Sequence, residues 1–297
     1  MTQIDVVILG SGSAIPTPER GHPSTLFNRA GELFLFDCGE GTQTRVRKAG
    51  FNPQKIKAIF ISHWHADHFS GLLPLFETLN LLNRKEPLTI FGPQAERFVS
   101  DMLDLSYYSV GFPLRAINCS LEAPQKLVST SEYEIFSVPV KHSVPAVGYF
   151  FKERPRWNLS QKKLKAFGLK PSPLLQELKD KGKIVFNGRK VILKQVAVQS
   201  VGRTFAYSGD TQPFKPFFKF ISGCDLLIHD STFLEPVPTK SHSSAAEAAK
   251  LSKQYKIKRL VLSHFSQRYK SEKELLQAAR KVFPRTVAAF DGLKLSI

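Results

Sequence analysis

The apolar run Ala58-Ile59-Phe60-Ile61 leads without a break into Ser62-His63-Trp64-His65-Ala66-Asp67-His68, which places three histidines and an aspartate within six residues. The chain has only 8 His in 297 residues, so such an HxHxDH cluster has a chance expectation of roughly 2 in 10,000. Alternate residues past a strand end can point at one centre, and the adjacent Asp67 and His68 can serve a second. The fold must therefore bury a strand that delivers this segment to a rim where further ligands can meet it.

Candidate partners recur at equivalent places. His142 follows YEIFSVPVK (133–141), His264 follows RLVLS (259–263), Asp210 follows FAYSG (205–209), and His229 with Asp230 follows DLLI (225–228). Loops on one edge of a sheet face a common crevice. The repeated strand-end position disfavours the competing view that His142, His229 and His264 are isolated surface residues. His22 and His242 lie in loops. Five histidines from among His63, His65, His68, His142, His229 and His264, with Asp67 and Asp210, would form a donor set without cysteine. Such a set suits zinc first, with manganese or iron as alternatives. Seven ligands over two ions leave positions for water and substrate, as in a catalytic site. Two ions sharing a carboxylate would clamp the attacking and leaving oxygens of an ester, phosphodiesters above all.

Short β-like runs at 4–9, 33–36, 58–61, 88–91, 133–138, 148–151, 205–208, 226–228, 260–263 and 293–297 are interspersed with helical patterns at 42–49, 72–83, 94–105, 245–255 and 273–282. That succession predicts a layered α/β fold. Ser244 with Glu247 reads as a capping box at the start of the fourth helix. GSGSA (10–14) is discounted as a dinucleotide loop, because Pro16 and Pro18 stand where a helix would begin. An apolar content of 42% is ordinary for a globular chain. No apolar run has the length of a membrane span. The start MTQIDVVILG reads as a strand rather than a secretion signal. Three cysteines without a CxxC pair suit a reducing, cytoplasmic setting.

The charge is exceptional: 42 basic against 25 acidic residues, a net +17, which points to a polyanion, either nucleic acid or an anionic membrane surface. Residues 152–194 carry 13 Lys or Arg against 3 acids, more than half of that excess in a seventh of the chain. Punctuated by Pro155, Gly168, Pro171, Pro173 and Gly182, this segment reads as a protruding arm rather than as core. It holds one short amphipathic piece around Leu174 to Leu178. Trp157 and Phe167 among its cations favour a nucleic-acid groove over a merely solvated face.

Longer stretches carry a family resemblance: ILGSGSAIPTPERGHPS (8–24), FDCGEGTQ (36–43), SHWHADHFSGL (62–72), VPVKHSVPAVGY (138–149), YSGDTQP (207–213), IHDSTF (228–233), SHSSAAEAA (241–249) and LSHFSQRY (262–269). Together they resemble the metallo-β-lactamase superfamily and, within it, the ribonuclease Z family of tRNA 3′-processing endonucleases in its short form. The resemblance implies an αββα sandwich over residues 1–297, with residues 152–194 as an inserted tRNA-binding arm. It assigns His63, His65 and His142 to one zinc and Asp67, His68 and His264 to a second, with Asp210 bridging. It makes Asp67 the proton acceptor and His242 a helper in proton transfer, oriented by Asp230 where the family usually carries Glu. It implies contacts to the tRNA precursor from Lys162, Lys163 and Lys165 in the arm and from Arg268 in the closing HFSQRY. Ser172 stands where the family arm usually has Gly. Members of this length are generally homodimers. The competing expectations are another dinuclear phosphodiesterase of the same fold, which would need no arm, and an inactive RNA-binding relative, which typically loses ligands.

Overall fold

The computed structural model describes residues 3–105, 109–236 and 241–297. Among these, two seven-stranded sheets dominate. The first runs in the spatial order Lys294–Ser296, Ile4–Gly10, Ser24–Arg29, Glu32–Phe36, Ile56–Phe60, Leu88–Gly92, Leu114–Asn118. The second runs Thr286–Ala288, Leu260–Ser263, Leu226–Asp230, Thr204–Tyr207, Val147–Glu153, Tyr133–Pro139, Gln125–Ser129.

Strand alternation sorts the apolar residues by shape. In the first sheet Val7, Leu9, Leu26, Leu35, Ile59 and Ile90 face one way. They pack with Val46, Leu72, Leu75, Phe76, Val99 and Met102 of the helices Thr42–Lys48, Leu72–Leu81 and Ala95–Asp104. The alternate positions, which include Phe27, Phe36 and Phe60, face the second sheet. Phe27 lies 4.6 Å from Phe151 and 5.2 Å from Phe205, Phe36 lies 5.1 Å from Phe205, and Phe60 lies 5.2 Å from Tyr149. Each fully buried Phe contributes about 1.5–3 kcal/mol, and this aromatic layer joins the sheets. The outer face of the second sheet is covered by Lys215–Phe220, Ala245–Gln254 and Lys273–Val282, which bury Phe217, Phe218, Leu251 and Leu275. The architecture is an αββα sandwich.

Register then positions the site. Leu35 pairs with Ile59 and Ile59 with Ile90 in parallel, so these strands end level. In the second sheet Tyr207 pairs with Ile228 and Ile228 with Val261, again in parallel. The residues just past these carboxyl ends are Asp37, Ser62 to His68, Asp210, Asp230 and His264, and ligands of α/β sheets gather at such ends.

The chain divides into two compact units: one holds both sheets, and the other comprises Thr130–Tyr133 with Lys152–Arg203. The basic segment 152–194 lies within this second unit, which continues to Arg203. Within it Arg156–Leu159 pairs with Ala197–Ser200, and Lys183–Phe186 forms a hairpin with Arg189–Ile192. The hairpin turns at Asn187-Gly188, both at positive φ, the Asn-Gly signature of a two-residue turn. The amphipathic piece is the helix Pro173–Lys181. The segment is not without a core, as its composition suggests. Leu164, Leu169, Leu178, Ile184, Val191 and Val196 form one, spread over short elements too far apart in sequence to show a period.

Candidate active site

After the strand Ile56–Phe60 the chain bends at Ser62 and reaches His65, which sits at φ −76°, ψ 144°, before the single helical turn Ala66–Phe69. This loop brings the His63 and His65 rings together, and the turn then brings Asp67 and His68 inward. His65 Nδ1 lies 3.0 Å from His63 Nε2 and 3.3 Å from His142 Nε2. Asp67 Oδ2 lies 3.4 Å from His68 Nε2 and 3.5 Å from His264 Nε2. Asp210 Oδ2 stands between the two groups, 3.8 Å from His63 Nε2, 3.4 Å from His68 Nε2 and 3.3 Å from His264 Nε2. The groups His63/His65/His142, His63/His68/Asp210 and Asp67/His68/His264 each bring their donor atoms within 4.8 Å of one another.

Outer partners decide which nitrogen each ring presents. The carboxylate of Asp37 accepts from Ser62 N at 2.7 Å, Ser62 Oγ at 2.9 Å, His68 Nδ1 at 2.7 Å and the Tyr207 hydroxyl at 2.6 Å. With its hydroxyl proton spent on Asp37, Ser62 Oγ accepts from His63 Nδ1 at 3.1 Å. Thr232 Oγ1 likewise donates to Asp230 Oδ1 at 2.6 Å and so accepts from His264 Nδ1 at 2.8 Å. His142 Nδ1 donates to the Ser241 carbonyl at 2.8 Å. Each of these rings carries its proton outward and turns an Nε2 lone pair into the cluster, the arrangement that ligating histidines require. His68 Nε2 and His264 Nε2 are buried there without a hydrogen-bond partner among the described residues. Lone pairs and carboxylates converging without a donor fit a pair of cations.

The electrostatics agree. Burial would raise the Asp67 and Asp210 carboxyls, but the neighbouring His264 and His68 hold both below the usual carboxylate range. Burial and the nearby His68 push His63 down; burial also lowers His142. Burial opposes the charged form of His68, yet Asp210 and Asp37 raise it well above the ordinary histidine value. A cluster that captures a proton at its centre has an excess of negative charge, a demand that a divalent cation also meets.

Backbone strain marks two further positions. His264 has φ +65°, a left-handed conformation costing a non-glycine residue about 1–3 kcal/mol. Gly209, next to Asp210, has φ +58°, and a Cβ there would lie 2.4 Å from Ser62 Cβ.

Asp230 reaches His242 despite its short side chain: its Oδ2 lies 2.9 Å from His242 Nδ1 and also accepts from Thr211 N at 3.0 Å. Burial alone would lower His242, but the Asp230 hydrogen bond and charge raise it to about 9. The Arg268 guanidinium lies 4.9 Å over the Phe233 ring, which packs 6.0 Å from His242. Lys162, Lys163 and Lys165 lie on the helix Gln161–Ala166 of the second unit; Lys163 Nζ donates to the Ala197 carbonyl at 2.9 Å, and the other two are exposed. His229 departs from the strand-end expectation. It points to the opposite face of its strand, packs 5.0 Å from Phe218 and donates through Nδ1 to the Asp230 carbonyl, because Asp230 takes the site-facing position of the alternation. Asp37, Thr232, Tyr207 and the Ser241 carbonyl were not anticipated. For Asp37 a signal existed, a carboxylate directly after the apolar run LFLF within FDCGEGTQ.

Fold and donor set together define a class: a metallo-β-lactamase-fold metalloprotein with a dinuclear site. The chain matches the anti-Pycsar protein Apyc1 family over residues 4–103 and the beta-lactamase superfamily domain over residues 194–265. It is 38% identical over 299 residues to ribonuclease Z of Pyrococcus horikoshii, covering 99% of this chain and 96% of that one. It is also 35% identical over 300 residues to ribonuclease Z of Methanosarcina mazei, covering 98% and 97%. The crystal structure of human tRNase Z, short form, superposes with a TM-score of 0.71 at 27% identity, covering 99% of both chains. The chain belongs to the ribonuclease Z family.

Proposed function

We propose that this protein is a zinc-dependent endoribonuclease that removes the 3′ trailer from tRNA precursors by hydrolysing one phosphodiester bond, acting in the cytoplasm as a homodimer. The observation that carries the reading is a cluster of seven donors in three overlapping groups, with Asp210 Oδ2 beside His63, His68 and His264, within a family of tRNA-processing nucleases. Among the described residues no helix is long and apolar enough to cross a membrane.

His63, His65 and His142 would hold one ion, and Asp67, His68 and His264 the other, with Asp210 shared. When bound, the ions supply Lewis-acid stabilisation and ease deprotonation of a water. The chain's own groups handle the protons. Asp67, kept ionised by His264 and His68, accepts the proton of the attacking water. His242, kept protonated by Asp230, donates to the departing 3′ oxygen. The second unit, with its cationic helix Gln161–Ala166, holds the tRNA by its phosphates, while Arg268 contacts substrate beside His242. Dimerisation would let one subunit grip the substrate that the other cuts.

Turnover of a 3′-extended tRNA precursor and of bis(p-nitrophenyl) phosphate, compared across a salt series, tests this reading. Precursor affinity is expected to fall steeply with salt while small-diester turnover changes little. A protein that hydrolyses the small diester but leaves the precursor intact at every salt concentration is a different phosphodiesterase.

A further inference from the structure

Beside the ligand loops lies an apolar cavity of about 130 Å³ lined by Trp64, Pro93, Gln94, Phe98, Val144 and Pro145. An apolar cavity of about 150 Å³ accommodates benzene, so this one is sized for a single planar ring. Trp64 and Phe98 stack with centroids 4.7 Å apart and planes 15° apart, which makes one wall aromatic. The Trp64 indole N–H is anchored on the Pro93 carbonyl. At the rim, the exposed Gln94 is held at φ +52°.

Trp64 also packs partly against the core of the first sheet. That accounts for a large apolar residue at position 64. It leaves unexplained an open, ring-sized space with the Gln94 amide at its mouth. An aromatic wall with polar groups at its edge is how proteins hold unstacked RNA bases. The cavity's position specifies which base. Trp64 lies between His63 and His65, and Val144 lies two residues after His142, so two of the walls grow directly from the loops that carry the His63/His65/His142 group.

The geometry points to a base-binding subsite: this cavity takes the base of one unpaired nucleotide adjoining the scissile phosphate, a reading that rests on the RNA-cleavage function proposed above. The base packs on the aromatic wall, and Gln94 meets its edge. The subsite would fix the register of the cut strand without touching the reacting atoms.

Two precursors lacking the base on one side or the other of the cut, with the intact precursor as reference, test this in the metal-loaded protein. Removing the base on one of the two sides is expected to lower wild-type kcat/KM roughly 5- to 100-fold, the range for loss of one base–aromatic stack. Trp64→Leu should lower turnover of the intact precursor by a similar factor and add little further loss on the sensitive abasic substrate. Trp64→Phe should recover much of the activity. Phe98→Ala, on a helix remote in sequence from the ligands, should repeat the pattern. The subsite is overturned if wild type cleaves both abasic precursors like the intact one, or if the variant and abasic losses multiply. It is also overturned if Trp64→Leu and Phe98→Ala slow bis(p-nitrophenyl) phosphate as much as RNA. Failure of wild type to cut the intact precursor would instead refute the RNA reading itself, a separate outcome.

Discussion

At the scale of single residues, the site is organised by groups that touch no substrate. Asp37 gathers four donors, and through Ser62 Oγ and His68 Nδ1 it sets the tautomers of two rings. Replacing it by Asn keeps the shape but turns an NH2 toward donors. Asp37→Asn is expected to weaken metal binding by about 10- to 100-fold, read by chelator competition; unchanged affinity would remove Asp37 from this role. Asp230 acts in the same way on His242, and the titration of this pair has a definite sign. The His242 value is raised from 6.5 to about 9, so its stabilisation is complete below pH 6.5 and fades as pH rises through 9. Burial opposes ionisation of Asp230, but His242 holds its carboxyl below the usual 3.8, so that contribution is present above pH 3.8 and lost in acid. The Tm deficit of metal-free Asp230→Asn should therefore be largest between pH 4.5 and 6.5 and shrink toward pH 9.5; a deficit independent of pH would contradict the ion pair. With substrate, His242→Ala is expected to lower kcat about 100- to 10,000-fold, whereas loss of thermal stability with kcat intact would reduce His242 to a loop contact.

At the scale of elements, the ligands arrive because parallel strands end level and short turns follow them. The tight turn at Gly209 is one such device. Gly209→Ala combines left-handed strain with a clash against Ser62 and is expected to cost about 2–4 kcal/mol, read from the midpoint of denaturant unfolding. The helix Gln161–Ala166 offers a complementary test. Lys162→Glu with Lys165→Glu should weaken precursor binding and flatten its salt dependence while sparing small-diester hydrolysis; equal loss of both reactions would place this helix in catalytic support instead. Much at this scale was legible in the sequence. The strands leading to His63, Asp210 and His264 end in short apolar runs that read as β, and the Ser244–Glu247 capping box forms as its spacing predicts. Ser24–Arg29 was missed because Asn28 and Arg29 interrupt its apolar pattern, and the edge strands Leu114–Asn118 and Gln125–Ser129 because they bury little. The outer partners were hidden for a different reason: Asp37 and Tyr207 are 170 residues apart, and only the packing of one sheet on the other brings them within 2.6 Å.

At the scale of the whole molecule, one sandwich supplies the dinuclear site and a separately folded cationic unit carries much of the net charge of +17. The division would suit a substrate far larger than the bond being cut if, as proposed, grip resides in the cationic unit and chemistry in the sandwich. A cluster of seven donors, Asp210 among them, makes the chemistry depend on metal, so chelation is expected to abolish cleavage and zinc to restore it. The most direct measurement is end-mapped cleavage of one 3′-extended tRNA precursor, with and without chelator. The expected result is a single cut at the boundary between the mature 3′ end and its trailer, lost on chelation and recovered with zinc. Scattered cuts along the RNA, a cut that persists without metal, or no cut by the zinc-loaded protein would contradict the account.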